Sequence, residues 1–340
     1  MDKGLTSRYA GMLLRLFISP EDEPDSIEWK GIQWDVFLEL VRKNLLLVRS
    51  YERLSRINSL RPHSSYLEAV EGERDRIRRT IELVEKLSAL CAEAKIPHIF
   101  PKAFQHYPDM GHDVDLFVLD CSRKVDTIIT RNFRVSPSNG SLLNALSGKT
   151  SLKIEDYPSP VEIHHGRMGH VGEHNRYPVI LMENKKDYSI DGVTVPVPSP
   201  EDSLIIQAMQ RIYGHMCIRL SDVINTISLV QRNDLNWDYL LGVTGEIGIS
   251  CGLCCYLSYI EQIYRLLSRS PLFCEPLRGK LQLNGWGGVW FSEGYYRFPT
   301  FKTLSIVYLR KFIHETLMHN WESAGRLTLL PLAGVLTRLR

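Results

Sequence analysis

Apolar and polar positions along this chain change period twice, from helical spacing to strand alternation and back. From about Trp34 to Lys95 the apolar residues recur every three or four positions, which predicts two helices with a break near Asn58 to Ser64. The stretch that follows alternates. His98-Ile99-Phe100 reads as a short strand, and Lys102 to Tyr107 as a short helix opened by Pro101. Asp113 to Leu119 reads as a strand, Arg123 to Arg131 as a helix, and Ser151 to Glu155 and Val161 to His165 as further strands. Tyr188-Ser189-Ile190 and Val193-Thr194-Val195 flank Asp191-Gly192, the signature of a two-residue hairpin turn.

Pro196-Val197-Pro198 reads as a hinge, after which helical spacing returns at about 200–214, 218–231, 236–246 and 251–269. Ser199 caps the first of these helices, with Pro200 in its first turn and Glu201 and Asp202 at the positive end of its dipole. Asn284-Gly285-Trp286-Gly287-Gly288 is a glycine-rich loop, and Phe301 to His319 a last helix. The expected fold is α+β: a small mixed β-sheet flanked by helices, with a C-terminal helical domain. Its expected divisions are an N-terminal helical region (1–95), an α/β core (96–198) and a helical domain (199–340).

Within the α/β core, Gly111-His112-Asp113-Val114-Asp115-Leu116-Phe117-Val118 sets two carboxylates one residue apart in a strand-like run. Alternation sends Asp113 and Asp115 to one face while Val114, Leu116 and Val118 enter the core. Two anions side by side on a strand repel, and a divalent cation removes that cost. Mg²⁺ suits such a pair, since it prefers one or two carboxylates completed by phosphate oxygens and water. Glu162, in Val161-Glu162-Ile163-His164-His165, is the third acid of the set. Three acids meeting from adjacent strands hold two ions roughly 4 Å apart, an arrangement suited to phosphoryl or nucleotidyl transfer.

His164 shares the face of Glu162 and is the better active-site histidine, whereas His165 points the other way and packs or caps. His170 and His174 suggest a zinc reading with His164, but phosphate-bound Mg²⁺ prefers oxygen. Lys102, placed before the acidic strand, suits a phosphate. His215, Arg219 and Asp222 are spaced for one helix face and read first as an ion-pair network, second as lining of a nucleotide cleft. Trp237, Trp286 and Trp290 read as packing residues before base-stacking ones.

Of the 340 residues, 44% are hydrophobic and the net charge is +2, which suits a sizeable core and argues against a dedicated nucleic-acid binder. Seven cysteines without framework spacing point to a reducing cytoplasm, and Cys251, Cys254 and Cys255 read as small core residues of a helix. The charged run Glu71 to Arg79 reads as a solvated helix face. Arg310, Lys311, Arg326, Arg338 and Arg340 stand among apolar residues and fit an amphipathic packing helix. No apolar run approaches the roughly 20 residues of a membrane span.

The series Phe100-Pro101-Lys102-Ala103, Asp113 to Val118, Val161 to His165 and Ser199-Pro200-Glu201-Asp202 resembles the uncharacterised nucleotidyltransferase family of the polymerase-beta-like superfamily. Asp222 and Leu235-Asn236-Trp237-Asp238 look like the helical half of that family, so the resemblance spans about residues 80–265. It implies metal-binding aspartates at Asp113 and Asp115, a third acid near Glu162, and a nucleoside triphosphate donor, with ATP the first candidate. Lys102, His164 and Arg219 are then the expected nucleotide-binding residues, and two Mg²⁺ ions the expected cofactors. The chain carries Lys102-Ala103 where family members usually have Lys-Gly, and Asp109-Met110-Gly111-His112 where they tend to carry an arginine. The competing readings are a non-catalytic module of the same fold and an Asp-X-Asp nucleotide-sugar glycosyltransferase. The latter needs a longer α/β half before the motif than this chain offers.

Overall fold

The computed structural model describes residues 3–18, 29, 31–57, 60–136, 142–232, 235–268, 270–281, 283 and 285–330. Four helices come first: α1 (Lys3–Ile18), α2 (Trp34–Lys43), α3 (Leu47–Leu54) and α4 (Ser64–Glu93). The sheet region then runs β1 (His98–Ile99), β2 (Val114–Val118), α5 (Lys124–Asn132), β3 (Val135–Ser136), α6 (Leu142–Ser147), β4 (Lys149–Ile154), β5 (Val161–His165) and α7 (Tyr177–Glu183). A hairpin of β6 (Lys186–Ile190) and β7 (Val193–Val197) leads to α8 (Pro200–Ala208), which continues as a π-helix over Met209–His215. After it come α9 (Leu220–Gln231), α10 (Trp237–Glu246), α11 (Ser250–Leu267), α12 (Glu275–Leu281), β8 (Trp290–Ser292), β9 (Tyr295–Arg297), α13 (Thr300–Leu317) and α14 (Trp321–Leu327). The fold is α+β, as the pattern predicts.

The main sheet has strand order β1-β2-β5-β4-β3. Only β2 and β5 run parallel; the other neighbours are antiparallel. Alternation along β2 separates two cores. Val114, Leu116 and Val118 join Val161, Ile163 and the inner face of α4, including Leu83, Val84 and Leu87, while Phe117 joins the core of the helical half. Asp115 lies on the Phe117 side, so the acidic strand faces the helices that follow residue 199. In that second core, α1 and α2 bury Leu13, Leu14 and Phe37 with residues of α9 and α11.

Several predicted elements differ. The chain from Trp34 holds two helices before the break rather than one, because Leu45 takes a positive φ of 51° between α2 and α3. Part of the predicted break, residues 58 and 59, lies outside the described residues, as do Asn284, Arg338 and Arg340. Lys102 to Tyr107 forms turns, not a helix. Pro108 disfavours α geometry at Tyr107, and so short a segment cannot meet the cost of helix nucleation. Pro196 and Val197 are the end of β7 rather than a hinge, and the Pro196 carbonyl accepts from Phe100 N at 2.9 Å. The charged run on α4 is only partly solvated: Arg76 and Glu73 pair with their side chains largely covered.

The hairpin forms as predicted, with Asp191 at φ 48° and Gly192 at φ 83°, the two positive values such a turn demands. Ser199 caps α8 by accepting from Asp202 N at 3.1 Å and donating to Asp202 Oδ2 at 2.8 Å. Cys251, Cys254 and Cys255 lie on α11 as free thiols. None of the described helices is long and apolar enough to cross a membrane.

Candidate active site on the β2–β5 face

Parallel pairing of β2 with β5 puts Asp115 opposite Glu162 and Phe117 opposite His164. Because side chains two apart share a face, Asp115, Glu162 and His164 converge on the side turned to the helical half. One ligand atom from each lies within 4.8 Å of the others. His164 Nε2 is 2.7 Å from Asp115 Oδ1, and the Lys102 ammonium pairs with the other Asp115 oxygen. Lys149, which β4 sets opposite His164, holds Glu162 Oε2 at 3.2 Å. The Asp115 side chain is 2% exposed, against 31% for Glu162, so the acids grade from buried to open.

Charge balance follows from that geometry. Burial works against ionisation of Asp115, but Lys102 and His164 outweigh it and hold the carboxyl well below the usual carboxylate range. Burial lowers the His164 imidazole, with Lys149 and Lys102 adding to the effect against the pull of Asp115. His164 Nδ1 is buried with no hydrogen-bond partner.

Asp113 stands elsewhere. It precedes β2, is exposed, and turns its Oδ1 toward Gly111, where an added Cβ would meet that oxygen at 3.2 Å. The Asp115, Glu162 and His164 grouping does not include it. The segment in front of the strand is held from behind, since Arg76 of α4 donates to the carbonyls of Met110 and Gly111, both at 2.9 Å.

His165 points away as expected and sits 3.1 Å from Asp126 Oδ1, with Thr150 donating to Asp126 Oδ2 at 2.8 Å. His215, Arg219 and Asp222 do not share one helix. His215 ends the π-helix, Met216 breaks the run at φ 55°, and Arg219 is the N-cap of α9. Asp222 is fully buried, its Oδ2 2.7 Å from Arg211 Nε and its Oδ1 3.6 Å from His106 Nε2. It also accepts from Arg219 N at 2.8 Å.

Among the described residues, no carboxylate lies within ion-pair distance of the Arg219 guanidinium. Desolvation and the cations Arg211, Arg219 and Lys102 push the His215 imidazole below its usual value, so these groups crowd one region. His170 lies beside the end of the π-helix, where a Cβ on Gly214 would meet its Nε2 at 3.6 Å. His174 is buried against Tyr213 with both ring nitrogens unpartnered.

Of the tryptophans, Trp237 packs on Phe273, Trp286 partly packs against the helical core, and Trp290 is exposed on β8. A cavity of about 510 Å³ borders the site through Lys102, between the Phe100–Tyr107 turns, the β6–β7 hairpin, α8 and α9. Lys149, Arg76 and Arg211 carry no sequence signal. They reach their partners only through strand register, helix packing or the π-helix.

A mixed sheet with two acids in register, a lysine from the preceding turn and a helical half facing them defines a nucleotidyltransferase-type protein. The sequence profile of the uncharacterised nucleotidyltransferase family matches residues 30–265, and the chain belongs to that family. Among solved structures it is similar to an antigenic nucleotidyltransferase-like protein from Paracoccidioides brasiliensis, at 15% identity and a TM-score of 0.31. That likeness covers 53% of this chain and 93% of the other. No curated protein matches.

Proposed function

We propose that the protein is a Mg²⁺-dependent nucleotidyltransferase that moves a nucleoside monophosphate from an NTP, ATP first, to a hydroxyl or phosphate acceptor. The observation that carries this reading is the register of Asp115 with Glu162, two acids side by side on adjacent strands, with His164 on the same face two residues beyond Glu162. The donor set fits the ion. Two carboxylates are what Mg²⁺ takes from protein, leaving its other positions to water and phosphate. In this reading Asp115 and Glu162 hold one ion, and Asp113, more exposed, lends its carboxylate to a second. Bound there, the ions would supply charge neutralisation at the triphosphate and activation of the acceptor oxygen.

The chain's own residues do the rest. Asp115 remains ionised across the physiological range because Lys102 and His164 favour its charged form. Lys102 exchanges Asp115 for a phosphate oxygen as the ligands enter, since its side chain, 25% exposed, has room to turn. His164 donates to a phosphate oxygen or orients the acceptor. Arg219, without a carboxylate partner among the described residues, meets the outer phosphates. In this reading the α/β core supplies the acids with Lys102, and the helical domain supplies Arg219.

Purified protein with labelled NTPs, Mg²⁺ and an acceptor panel should release pyrophosphate and label an acceptor. Identical behaviour of wild type and the Asp113→Ala, Asp115→Ala double variant would end this reading. One observation favours a non-catalytic binding module instead: Asp115 already has Lys102 and His164 as partners and needs no ion to neutralise it. Calorimetry separates the two, because a scaffold shows no Mg²⁺-dependent NTP binding.

A further inference from the structure

The outer face of α13 is a stripe of apolar side chains left exposed among the described residues. Seven of the twelve large apolar residues exposed among the described residues fall on α13, its C-terminal turn and the start of α14. Phe301, Leu309, Phe312, Ile313, Leu317 and Trp321 dominate the stripe, with Phe301 at 87% and Leu317 at 73% exposure. Phe301, Leu309, Phe312, Ile313 and Leu317 fall on the side of α13 away from Thr303, Val307, Lys311 and Glu315, and Trp321 follows at the start of α14. The sequence expectation of a packing helix holds for the opposite side only.

That opposite side is fixed. Thr303 bonds the Tyr259 hydroxyl at 2.9 Å, and Val307 is fully buried. Lys311, 2% exposed, donates to the Ile247 carbonyl at 2.5 Å and pairs with Glu315. The stripe is therefore displayed on a helix held by buried polar bonds, so little ordering is left for a partner to impose.

We propose that this face is the homodimer interface, α13 of one chain packing on α13 of a second copy. Area is the first argument. The six side chains together expose on the order of 800 Å², which is what one partner contributes to a standard interface and more than most monomers leave open in a single patch. Composition is the second. The stripe is aromatic and aliphatic, with Lys302 at its start and Arg310 at its flank as the exposed charged residues of α13, close to the charge-depleted core of a protein interface. A helix lying on anionic lipid instead carries a face rich in cations, whereas α13 exposes only Lys302 and Arg310 and turns Lys311 inward against Glu315.

Sedimentation equilibrium on the full chain from about 1 µM to about 100 µM should show the mass of two chains. Ile313→Asp with Leu317→Asp should leave a monomer with an unchanged melting curve, since both positions are exposed in one chain. An unpaired carboxylate buried in such an interface weakens association by about 100-fold or more. A wild type that stays monomeric throughout overturns the proposal, as does a double variant that remains dimeric. A chain ended after Leu330 that dimerises while the full chain does not assigns the face to the last ten residues instead. Cosedimentation of monomer with phosphatidylserine vesicles, lost in the double variant, assigns it to lipid.

Discussion

Two buried aspartates in this molecule have the same kinds of partner and opposite surroundings. Asp115 on the sheet meets a lysine and a histidine, and Asp222 on α9 meets an arginine and a histidine. Around Asp222 the partners are enclosed: Arg211 is 4% exposed and His106 7%. Around Asp115 the cation reaches solvent, a second acid stands in register, and a cavity opens past Lys102. An ion pair closed on every side locks two elements together, here the π-helix to α9. One whose cation is a quarter exposed, beside a second carboxylate, is the pair in which the proposed function has that cation give way to a metal and a phosphate. The difference lies in the exposure of the partners, since the aspartates themselves are equally buried.

The largest expected effect tests the open pair. Asp115→Asn should lower nucleotidyl transfer about 1,000-fold, roughly 4 kcal/mol of barrier, in a pyrophosphate-release assay. The same variant should cost less stability than its counterpart at Asp222, because Lys102 can turn to water. The closed pair should respond the other way. Asp222→Asn removes the negative charge that Arg211 pairs with and strands its guanidinium in the interior, with an expected loss of about 3–5 kcal/mol by urea unfolding. A stable Asp222 variant, or an Asp115 variant that unfolds as readily, would erase the distinction.

This contrast was only half legible in the sequence. Alternation in Val114 to Val118 and Val161 to His165 is a local signal, so the strands, the faces of Asp115, Glu162 and His164, and the outward turn of His165 could all be read. Pairing partners are not local. That Lys149 would meet Glu162, or that Arg211 would take Asp222, depends on sheet register and on a π-helix that widens the turn before His215. The helical spacing of His215, Arg219 and Asp222 misleads for the same reason, because Met216 breaks the helix between them. Asp113 was placed by extending the strand one residue too far. The exposed side of α13 had a clear pattern, but a pattern alone does not say whether a face is covered.

Acid should act through the buried histidines. Burial, together with Arg49 and Arg211 near His106 and Lys311 near His174, holds both imidazoles well below 6.5 in the folded chain. His106 also faces Asp222 and Arg219, and His174 faces Glu173 and His170. As pH falls through about 6.5 the unfolded chain takes up protons that the folded chain refuses, so stability drops by up to about 1.4 kcal/mol per pH unit for each histidine. Asp109 and Asp202 have raised carboxyls, whose opposite contribution appears at more acid pH. Urea midpoints measured from pH 7 to pH 5 should fall steadily, and His106→Gln should reduce the slope. A flat profile would mean that the Asp222 region opens readily enough to protonate while folded.

The smallest effect belongs to Asp113. Its carboxylate is exposed, outside the Asp115–Glu162–His164 group and turned back toward Gly111, so whatever it gives a second ion requires it to rotate from this position. A monodentate carboxylate that must first reorganise contributes less than one already fixed in the strand. Asp113→Ala should therefore lower transfer about tenfold, near 1.4 kcal/mol, with the loss recovered in part at higher Mg²⁺. Measuring transfer against Mg²⁺ concentration for both aspartate variants tests this directly. Equal losses at Asp113 and Asp115, neither relieved by Mg²⁺, would mean that the loop before β2 closes on the nucleotide and that both carboxylates belong to the inner set.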